Sequence, residues 1–367
     1  MGHKLRVIVE AWAVRSCNFE GPIESCGDII KKAGPHLEQH PDAANILLKE
    51  GFNFFNLGNN HMLDYGETGL NKTLAELRGT HCVGAATSLG DALEPVFIRN
   101  RITVGLFSVC EASFSTATQA GHAGAAWINH PTLEERVGQA SESADAVVVQ
   151  AHAGVEGVHV PLPEWRNRYK ELIDAGADAI IGHHPHVPQG WEVYAGKPIF
   201  YSLGHFLFES DRNDLYWDSG LAVVLEFDKD GYVNHQIIPT RVKRGVVDVT
   251  ESVEYSQALR SWCRLLSDDS YQQMVDDMTV RLYSERYENY YLLSMNGMIG
   301  STTLKQVAYN CLIYVLSKLN IRSMDVDKTL LWHNLTKESH LWVTQRALNR
   351  DQRINQKYNR FQRVTNC

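Results

Sequence analysis

Short apolar, β-branched runs alternate with helical patterns through residues 1–240 of the chain. The runs that predict strands are Asn53–Leu57, Ile102–Val109, Ala146–Val149, Ala179–Ile181 and Ile199–Leu203. Helical spacing of apolar residues predicts helices at Glu67–Arg78 and Pro163–Asp174, and Asp228–Gly231 marks the turn of a hairpin. Strand–helix alternation of this kind predicts an α/β core with antiparallel strands at its end.

The pattern changes beyond residue 250, where strand-like runs stop and aromatic residues interrupt helical patterns. We therefore divide the chain into an α/β domain, residues 1–250, and a C-terminal helical region, residues 251–367. Basic residues recur there at helical spacing, namely Arg346, Arg350, Arg353, Lys357 and Arg360. Such a stripe is usually a solvated helix face. Contact with an anionic polymer, a membrane surface or a partner is the alternative.

Composition narrows the class of protein. The chain of 367 residues is 44% hydrophobic and 21% charged, which is typical of globular proteins. Its net charge of -8 argues against a general nucleic-acid partner. The 7 cysteines include no CxxC pair and fit reduced thiols, and no apolar run is long enough for a transmembrane segment. With no signal peptide evident, we expect a soluble, cytoplasmic protein.

The turn after the first predicted strand brings together an amide, an imidazole and a carboxylate, within the stretch Asn59, Asn60, His61 and Asp64. An amide oxygen is a hard metal ligand, and an imidazole can bind a metal or donate a proton. The competing interpretation is a helix N-cap, a role common for Asn and Asp. The turn alone supports both interpretations equally.

Histidines follow the later strands. His183, His184 and His186 lie within four positions at a strand end, and a divalent cation explains their packing better than chance does. His152 also follows a strand, although loop histidines are common there. We expect Glu156 to be solvated or to lie next to a metal ligand, and not to bind a metal itself.

Two further residues are ambiguous on their own. Glu20 precedes Gly-Pro, which is usually just a turn, but it could supply a carboxylate. His205 lies at a strand end before Phe206 and is equally well explained as part of a turn. Because ligands collect at the carboxyl ends of strands in α/β sheets, we expect the candidate residues to meet in one site. Imidazole and oxygen donors without a thiolate favour Mn, Fe, Zn or Ni over Mg or Ca.

At these residues the sequence resembles the CapA family of capsule (poly-gamma-glutamate) biosynthesis proteins, part of the calcineurin-like metallophosphoesterase superfamily. The matching stretches are NFEGPI at Asn18–Ile23, KAGPHL at Lys32–Leu37, LGNNHMLDYG at Leu57–Gly66, HAGVE at His152–Glu156, GADAIIGHHPHVPQG at Gly176–Gly190 and KPIFYSLGHFLFE at Lys197–Glu209. The resemblance implies a metallophosphoesterase-like, four-layer α/β/β/α sandwich with one or two divalent metal ions at one edge.

The resemblance also implies roles for individual residues. His61 would donate a proton to the leaving group, and Asp64 would orient His61. The implied metal ligands are Glu20, Asn60, His152, His184 and His186. The residues that could line the surrounding pocket are Lys32, Asn59, Glu156, His183 and His205.

The chain departs from the family pattern at two places. The family has a strand ending in Gly-Asp well before the NFEGP segment, whereas no Gly-Asp precedes Asn18 here. The strand-like run Val7–Val9 ends at Glu10, too close to Asn18 to replace that strand. We therefore expect the chain to lack one metal-ligand strand and its carboxylate. The second departure is His205, where the family has Asn; a histidine there could bind metal or alter the pocket.

The predicted function is that of a metal-dependent hydrolase in which a metal-bound hydroxide attacks the substrate. Its partners would be an anionic polymer, or a phosphorylated or amide small-molecule substrate, together with capsule-biosynthesis proteins. The alternative is a non-catalytic polymer-binding or assembly component with an incomplete metal site. A metal-storage or sensing module is a third hypothesis, which no motif favours.

Overall fold

The computed structural model describes residues 1–23, 27–117, 121–208, 212, 215–296, 304–319 and 326–350. The chain divides into two compact units. The first comprises Met1–Ile30 and Pro35–Asp268, and the second comprises Lys31–Gly34 and Asp269–Cys367.

All strands of the described residues belong to the first unit. They are β1 (Ser16–Asn18), β2 (Phe54–Asn56), β3 (His81–Val83), β4 (Ala85–Ala86), β5 (Val96–Arg99), β6 (Thr103–Cys110), β7 (Gly124–Ala125), β8 (Ala146–His152), β9 (Ala179–His183), β10 (Trp191–Tyr194), β11 (Lys197–Phe200), β12 (Ser219–Asp228), β13 (Gly231–Lys243) and β14 (Val246–Val249).

Helices of the first unit alternate with these strands, and helices make up the second unit. They are α1 (His3–Val9), α2 (Ala43–Lys49), α3 (Gly66–Glu76), α4 (Leu89–Ala92), α5 (Leu133–Ser143), α6 (Pro163–Asp174), α7 (Val253–Leu266), α8 (Tyr271–Leu282), α9 (Glu288–Asn296), α10 (Leu304–Lys318), α11 (Lys328–Thr336) and α12 (Glu338–Arg350). A π-helical turn, Tyr283–Tyr287, joins α8 to α9.

The largest sheet of the described residues is 6-stranded, in the order β10-β11-β9-β8-β6-β5. Its inner strands β6, β8, β9 and β11 are parallel, and the two outer strands run antiparallel to their neighbours. Every residue of β8 is buried, and its sequence AVVVQAH is almost continuously apolar. Continuous apolarity is characteristic of a parallel strand covered on both faces, because neither face then meets water.

A second parallel sheet, β1-β2-β3, faces the first. Successive side chains of a strand point to opposite faces, so the adjacent pair Phe54 and Phe55 fills two different layers. Phe54 packs with Leu106, Val148 and residues of β12 and β13 between the sheets, whereas Phe55 packs outward with Leu70 and other residues of the α3 region.

Helices cover the outer faces of the sheets. Helices α5 and α6 pack against β8 and β9, and residues of α2 and α3 pack with Phe55 in the layer outside β2. The predicted four-layer α/β/β/α sandwich is therefore confirmed. Helix α6 spans Pro163–Asp174 as predicted, with Pro163 in its first turn, where a missing N–H costs nothing.

The strand-like interpretation of Val7–Val9 was wrong, because these residues belong to helix α1. Leu5 is fully buried against Ile238 and Val247, while Val7 is 57% exposed. A strand would be stabilised by pairing with a neighbouring edge, whereas here packing of one helix face overrides the β propensity of valine and isoleucine.

The compact units divide after Asp268 rather than at residue 250. Helix α7 stays with the first unit because Tyr255 and Leu259 pack against Leu221. The hydroxyl of Tyr255 also donates a hydrogen bond to the carbonyl oxygen of Gly220, at 2.9 Å.

Two members of the basic stripe near the C-terminus form ion pairs within the second unit. The guanidinium of Arg346 lies 2.9 Å from Asp276, whose side chain is 7% exposed, and Arg350 pairs with the same carboxylate. These two arginines therefore do not form a purely solvated face. Arg353, Lys357 and Arg360 lie outside the described residues. Among the described helices, none combines the length and apolarity needed to cross a membrane.

Candidate metal centre

The carboxyl ends of both parallel sheets meet at one edge of the sandwich. Glu20 follows β1, Asn60 and His61 follow β2, His152 ends β8, and the His-Pro-His segment follows β9. Strands of parallel register end together, so side chains distant in sequence become neighbours there. The structure brings together six predicted residues, which we call the centre: Glu20, Asn60, His61, His152, His184 and His186.

The loop after β9 is held in an unusual backbone conformation. His184 and His186 have positive φ angles of 78° and 61°, a region that L-residues seldom adopt. Gly154 in the loop after β8 lies against this segment, since a Cβ there would stand 2.8 Å from Cγ of Pro185. The alternating conformation turns both imidazoles toward the centre, and strain of this kind is concentrated at functional sites.

Three donor atoms converge at one side of the centre. Nε2 of His152 lies 2.9 Å from Oδ1 of Asn60 and 2.9 Å from Nδ1 of His184. His152 and His184 are only 1% and 2% exposed, so bulk water does not reach these contacts. An amide oxygen and two ring nitrogens thus face a common point.

Glu20 lies between the two sides of the centre. Its Oε1 atom is 3.5 Å from Nε2 of His186, 3.7 Å from Nε2 of His152 and 3.9 Å from Nε2 of His61. Asn18 donates a hydrogen bond to the other carboxylate oxygen at 3.2 Å, which fixes the orientation of the side chain. A carboxylate in this position can be shared by two cation positions.

Burial favours the neutral form of two imidazoles of the centre, His152 and His186. Loss of hydration lowers the pKa of His152 and of His186 well below 6.5, and neighbouring histidines lower both further. Neutral imidazole has a lone pair on one ring nitrogen, which is the form that binds metals.

His61 and Asp64 form a pair next to the centre. Nδ1 of His61 is hydrogen-bonded to Oδ2 of Asp64 at 2.7 Å, and Asp64 is fully buried. The backbone N–H of Leu37 donates to the same oxygen at 2.7 Å. Because a carboxylate accepts, the Nδ1 proton of His61 points at Asp64 and Nε2 points toward Glu20.

The sequence interpretation missed Glu111. This residue is fully buried, and its Oε1 atom lies 2.9 Å from Nε2 of His184. A carboxylate at this distance favours a proton on Nε2, which leaves the lone pair of His184 on Nδ1, facing the centre. Glu111 follows β6 directly, so the rule that singled out His152 after β8 could have found it.

Three predicted pocket residues have partners of their own. Asn59 holds the turn after β2: its amide donates to the carbonyl oxygen of Phe19 at 2.9 Å, and its Oδ1 accepts from the N–H of His61 at 3.2 Å. His183 is hydrogen-bonded to Gln150 at 2.8 Å, and burial lowers its pKa to about 4. Glu156 is 3.8 Å from Nε2 of His184 and 3.7 Å from Arg212, at the exposed side.

The other two pocket candidates differ in their placement. His205 contacts the centre, because its Nε2 is hydrogen-bonded to Nδ1 of His186 at 2.8 Å. Burial lowers the pKa of His205 to about 4, as does the nearby Arg212 charge. Lys32 belongs to Lys31–Gly34 of the second compact unit and stays a prediction from the sequence.

The donors of the centre fit a divalent cation. Asn60 Oδ1 carries only lone pairs, and with Nδ1 of His184 unprotonated a single proton on Nε2 of His152 can point fully at only one of these two atoms, which leaves electron-rich atoms in repulsive contact at the other. A cation removes this repulsion, and imidazole with hard oxygen is a donor set that divalent transition metals bind. No three His, Cys, Asp or Glu side chains of the described residues are spaced to hold an ion, so the fit is one of donor chemistry and not of distances.

A cavity of about 1340 Å³ opens beside the centre within the first unit. Its polar end is formed by Glu20, His183, His184, His186 and His205. Apolar residues such as Leu106, Val148 and Leu225 line much of the remainder, together with polar side chains such as Arg15 and Gln150. A ligand in this space would reach His186 and Glu20 directly.

The first part of the chain matches a family model. The model described as bacterial capsule synthesis protein PGA_cap matches residues 1–210. The PGA biosynthesis protein CapA of Bacillus subtilis is 35% identical over 199 residues, covering 52% of this chain and 52% of the relative. The capsule biosynthesis protein CapA of Bacillus anthracis is 30% identical over 254 residues, covering 66% and 61%. The chain thus spans little more than half the length of these relatives.

Other matches are more distant. A probable polyglutamine synthesis accessory protein of Mycobacterium tuberculosis is 28% identical over 265 residues, covering 65% of this chain and 68% of the relative. Among solved structures, a putative 5'-nucleotidase from Staphylococcus aureus in complex with alpha-ketoglutarate is 18% identical, with a TM-score of 0.40 and coverage of 60% of this chain and 44% of that chain. At this TM-score nothing about activity follows.

Proposed function

Because the chain belongs to the bacterial capsule synthesis protein family PGA_cap, we propose that it is a metal-dependent hydrolase of a capsule or poly-gamma-glutamate-like polymer or its precursor. The bond cleaved would be a phosphate ester, or an amide or ester. The names of the two Bacillus relatives, a PGA and a capsule biosynthesis protein, support this class of polymer. The observation that carries the proposal is the pair of His61 and Asp64 next to a donor set that fits a divalent cation.

Glu20, Asn60, His152 and His184 would hold one divalent cation. His186 also lies near Glu20. Together these two residues would contribute to a second cation position, which has fewer ligands. A bound cation supplies Lewis acidity toward substrate oxygens and lowers the pKa of a water molecule. The metal would be Mn, Fe, Zn or Ni, as imidazole donors favour.

The proton chemistry would belong to His61. Its Nδ1 is fixed by Asp64, so Nε2 is the atom that exchanges a proton with the leaving group. The buried carboxylate of Asp64 also stabilises the protonated ring that must form before donation. The pair therefore supplies orientation and charge to a single proton transfer.

Location and partners are also proposals. The cysteines of the described residues are free thiols, which supports a cytoplasmic location. Partners would be an anionic polymer or a phosphorylated or amide small molecule, and other capsule-biosynthesis proteins.

The test is hydrolysis of two chromogenic probes, bis(p-nitrophenyl) phosphate and γ-glutamyl-p-nitroanilide, by protein loaded with Mn²⁺ or Zn²⁺. His61→Gln should lower kcat by about 10²–10⁴-fold, the typical contribution of a positioned acid, without releasing metal. His235→Gln, on β13, is the matched control and should keep full activity. Turnover by His61→Gln at the rate of the native chain would contradict the proposal.

A second candidate function is polymer binding or assembly without turnover. It is favoured by the position of Glu20, which approaches both His152 and His186 and so serves two positions with one carboxylate. This function predicts retention of poly-gamma-glutamate on immobilised protein and no hydrolysis of either probe. Turnover that depends on His61 would exclude it.

A further inference from the structure

His205 lies behind His186, on the side away from Glu20. The ring of His205 is 7% exposed, stacks on Phe208 at 4.7 Å between centroids, and meets the edge of Trp217 at 4.5 Å. Its two nitrogens therefore have protein partners rather than water.

The partner of Nδ1 fixes one proton. Nδ1 of His205 lies 3.0 Å from the carbonyl oxygen of Trp217, and a carbonyl oxygen can only accept. Nδ1 of His205 is consequently the protonated nitrogen.

The partner of Nε2 fixes a second proton. Nε2 of His205 lies 2.8 Å from Nδ1 of His186, so a single proton lies between the two rings. If it belonged to His205, that ring would carry a positive charge between Phe208 and Trp217, with the guanidinium of Arg212 over the same Trp217 ring at 4.0 Å. Apolar neighbours and a like charge disfavour this state, so the proton belongs to Nδ1 of His186.

We infer that His205 is a positioning residue that fixes the tautomer of His186. With its proton on Nδ1, His186 presents the lone pair of Nε2 to Glu20 and the centre, where that nitrogen lies 3.5 Å from the carboxylate. Hydrogen bonds thus connect the Trp217 carbonyl oxygen to His205 and His205 to His186 at the centre, and we call this chain the relay. Since both nitrogens of His205 are engaged, His205 is not itself a ligand.

The inference rests on the proposed metal centre, but its test reads the tautomer without metal or turnover. In metal-free protein labelled with ¹⁵N-histidine, the His186 signals are identified by their loss in His186→Gln. Native protein should show the shifts of a ring protonated at Nδ1. In His205→Phe, which keeps a ring between Phe208 and Trp217 but removes the acceptor, these shifts should move toward the other tautomer or an average.

Metal affinity gives a second readout. Zn²⁺ binding to His205→Phe should weaken by about 10–100-fold, the usual effect of removing a group that orients a ligand. His205→Gln should restore part of it, because its longer side chain can place an amide oxygen near the Nε2 position to accept from Nδ1 of His186. His235→Phe replaces a partly buried imidazole outside the centre. This control should bind Zn²⁺ as the native chain does.

The outcomes separate the two proposals. Unchanged His186 shifts in a folded His205→Phe protein would overturn the inference, as would His205→Gln binding Zn²⁺ as poorly as His205→Phe. Native shifts of the expected tautomer without hydrolysis of any probe would leave the relay in place and count only against the hydrolase.

Discussion

At the scale of single residues, the orientation of each histidine ring is set by what lies behind it. His61 is fixed by Asp64, His186 by His205, and His184 contacts Glu111. Each contact engages the ring nitrogen that faces away from the centre. Outer partners of this kind matter almost as much as ligands, because an imidazole in the wrong tautomer presents N–H instead of a lone pair.

Glu111 provides a prediction at this scale. Glu111→Ala should weaken Zn²⁺ binding by about 10–100-fold, since it removes the carboxylate that lies 2.9 Å from Nε2 of His184 and favours a proton there. Glu111→Gln should lose less, because its amide oxygen can still accept that proton. Isothermal titration calorimetry measures both, with the exposed Glu142→Ala as the control. Glu111→Ala protein that is folded and binds Zn²⁺ like the native chain would show that Glu111 has no such role.

The sequence indicated the residues that meet at the centre more readily than the residues that support them. Asn60, His61, His152, His184 and His186 follow strands, so their positions alone mark them. Asn59, next to Asn60, could not be distinguished from a pocket residue, because only the fold shows its amide bonded to Phe19. Gln150, which holds His183, lies inside a buried strand, where the sequence gives no sign of function.

At the scale of elements, the central strands and helix α6 could be predicted because local pattern and tertiary position agree. β8 begins with the apolar run Ala146–Val149 and lies inside its sheet, and α6 begins at a proline. Helix α1 could not be predicted, since its apolar residues suit a strand equally well and only packing of Leu5 against Ile238 decides.

Gly182 tests how closely the elements under the centre pack. A Cβ at this position of β9 would lie 2.0 Å from the carbonyl oxygen of Tyr201, which follows β11. Gly182→Ala should therefore lower the free energy of unfolding by about 1–3 kcal/mol or more, and it should displace His183 and His184.

The measurement is urea denaturation followed by circular dichroism. Gly90→Ala is the control, because its Cβ would meet only Oγ of Ser88, at 3.9 Å; it should not lower stability, and the helix propensity of alanine in α4 should raise it by at most about 1 kcal/mol. If Gly182→Ala were as stable as the native chain, the backbone after β11 would have to move away from β9 at little cost in free energy, contrary to this prediction.

At the scale of the whole molecule, the centre exists because two parallel sheets of the first unit end at one edge. One sheet contributes Glu20, Asn60 and His61, and the other contributes His152, His184 and His186. Neither sheet alone supplies both Glu20 and the His-Pro-His segment. The sequence could predict this meeting only through the order of its strands and its family resemblance, since no short motif spans both sheets.

The central claim is that this edge binds a divalent metal ion, and elemental analysis of the purified full chain tests it most directly. After loading with Mn²⁺, Fe²⁺, Zn²⁺ or Ni²⁺ and removal of excess metal, we predict about one tightly held ion per chain, as the donor set around His152 implies. The control His235→Ala should keep that ion, and a folded His184→Ala protein should lose it. Native protein that retains none of the four metals, or His184→Ala that retains as much as the native chain, would contradict the account.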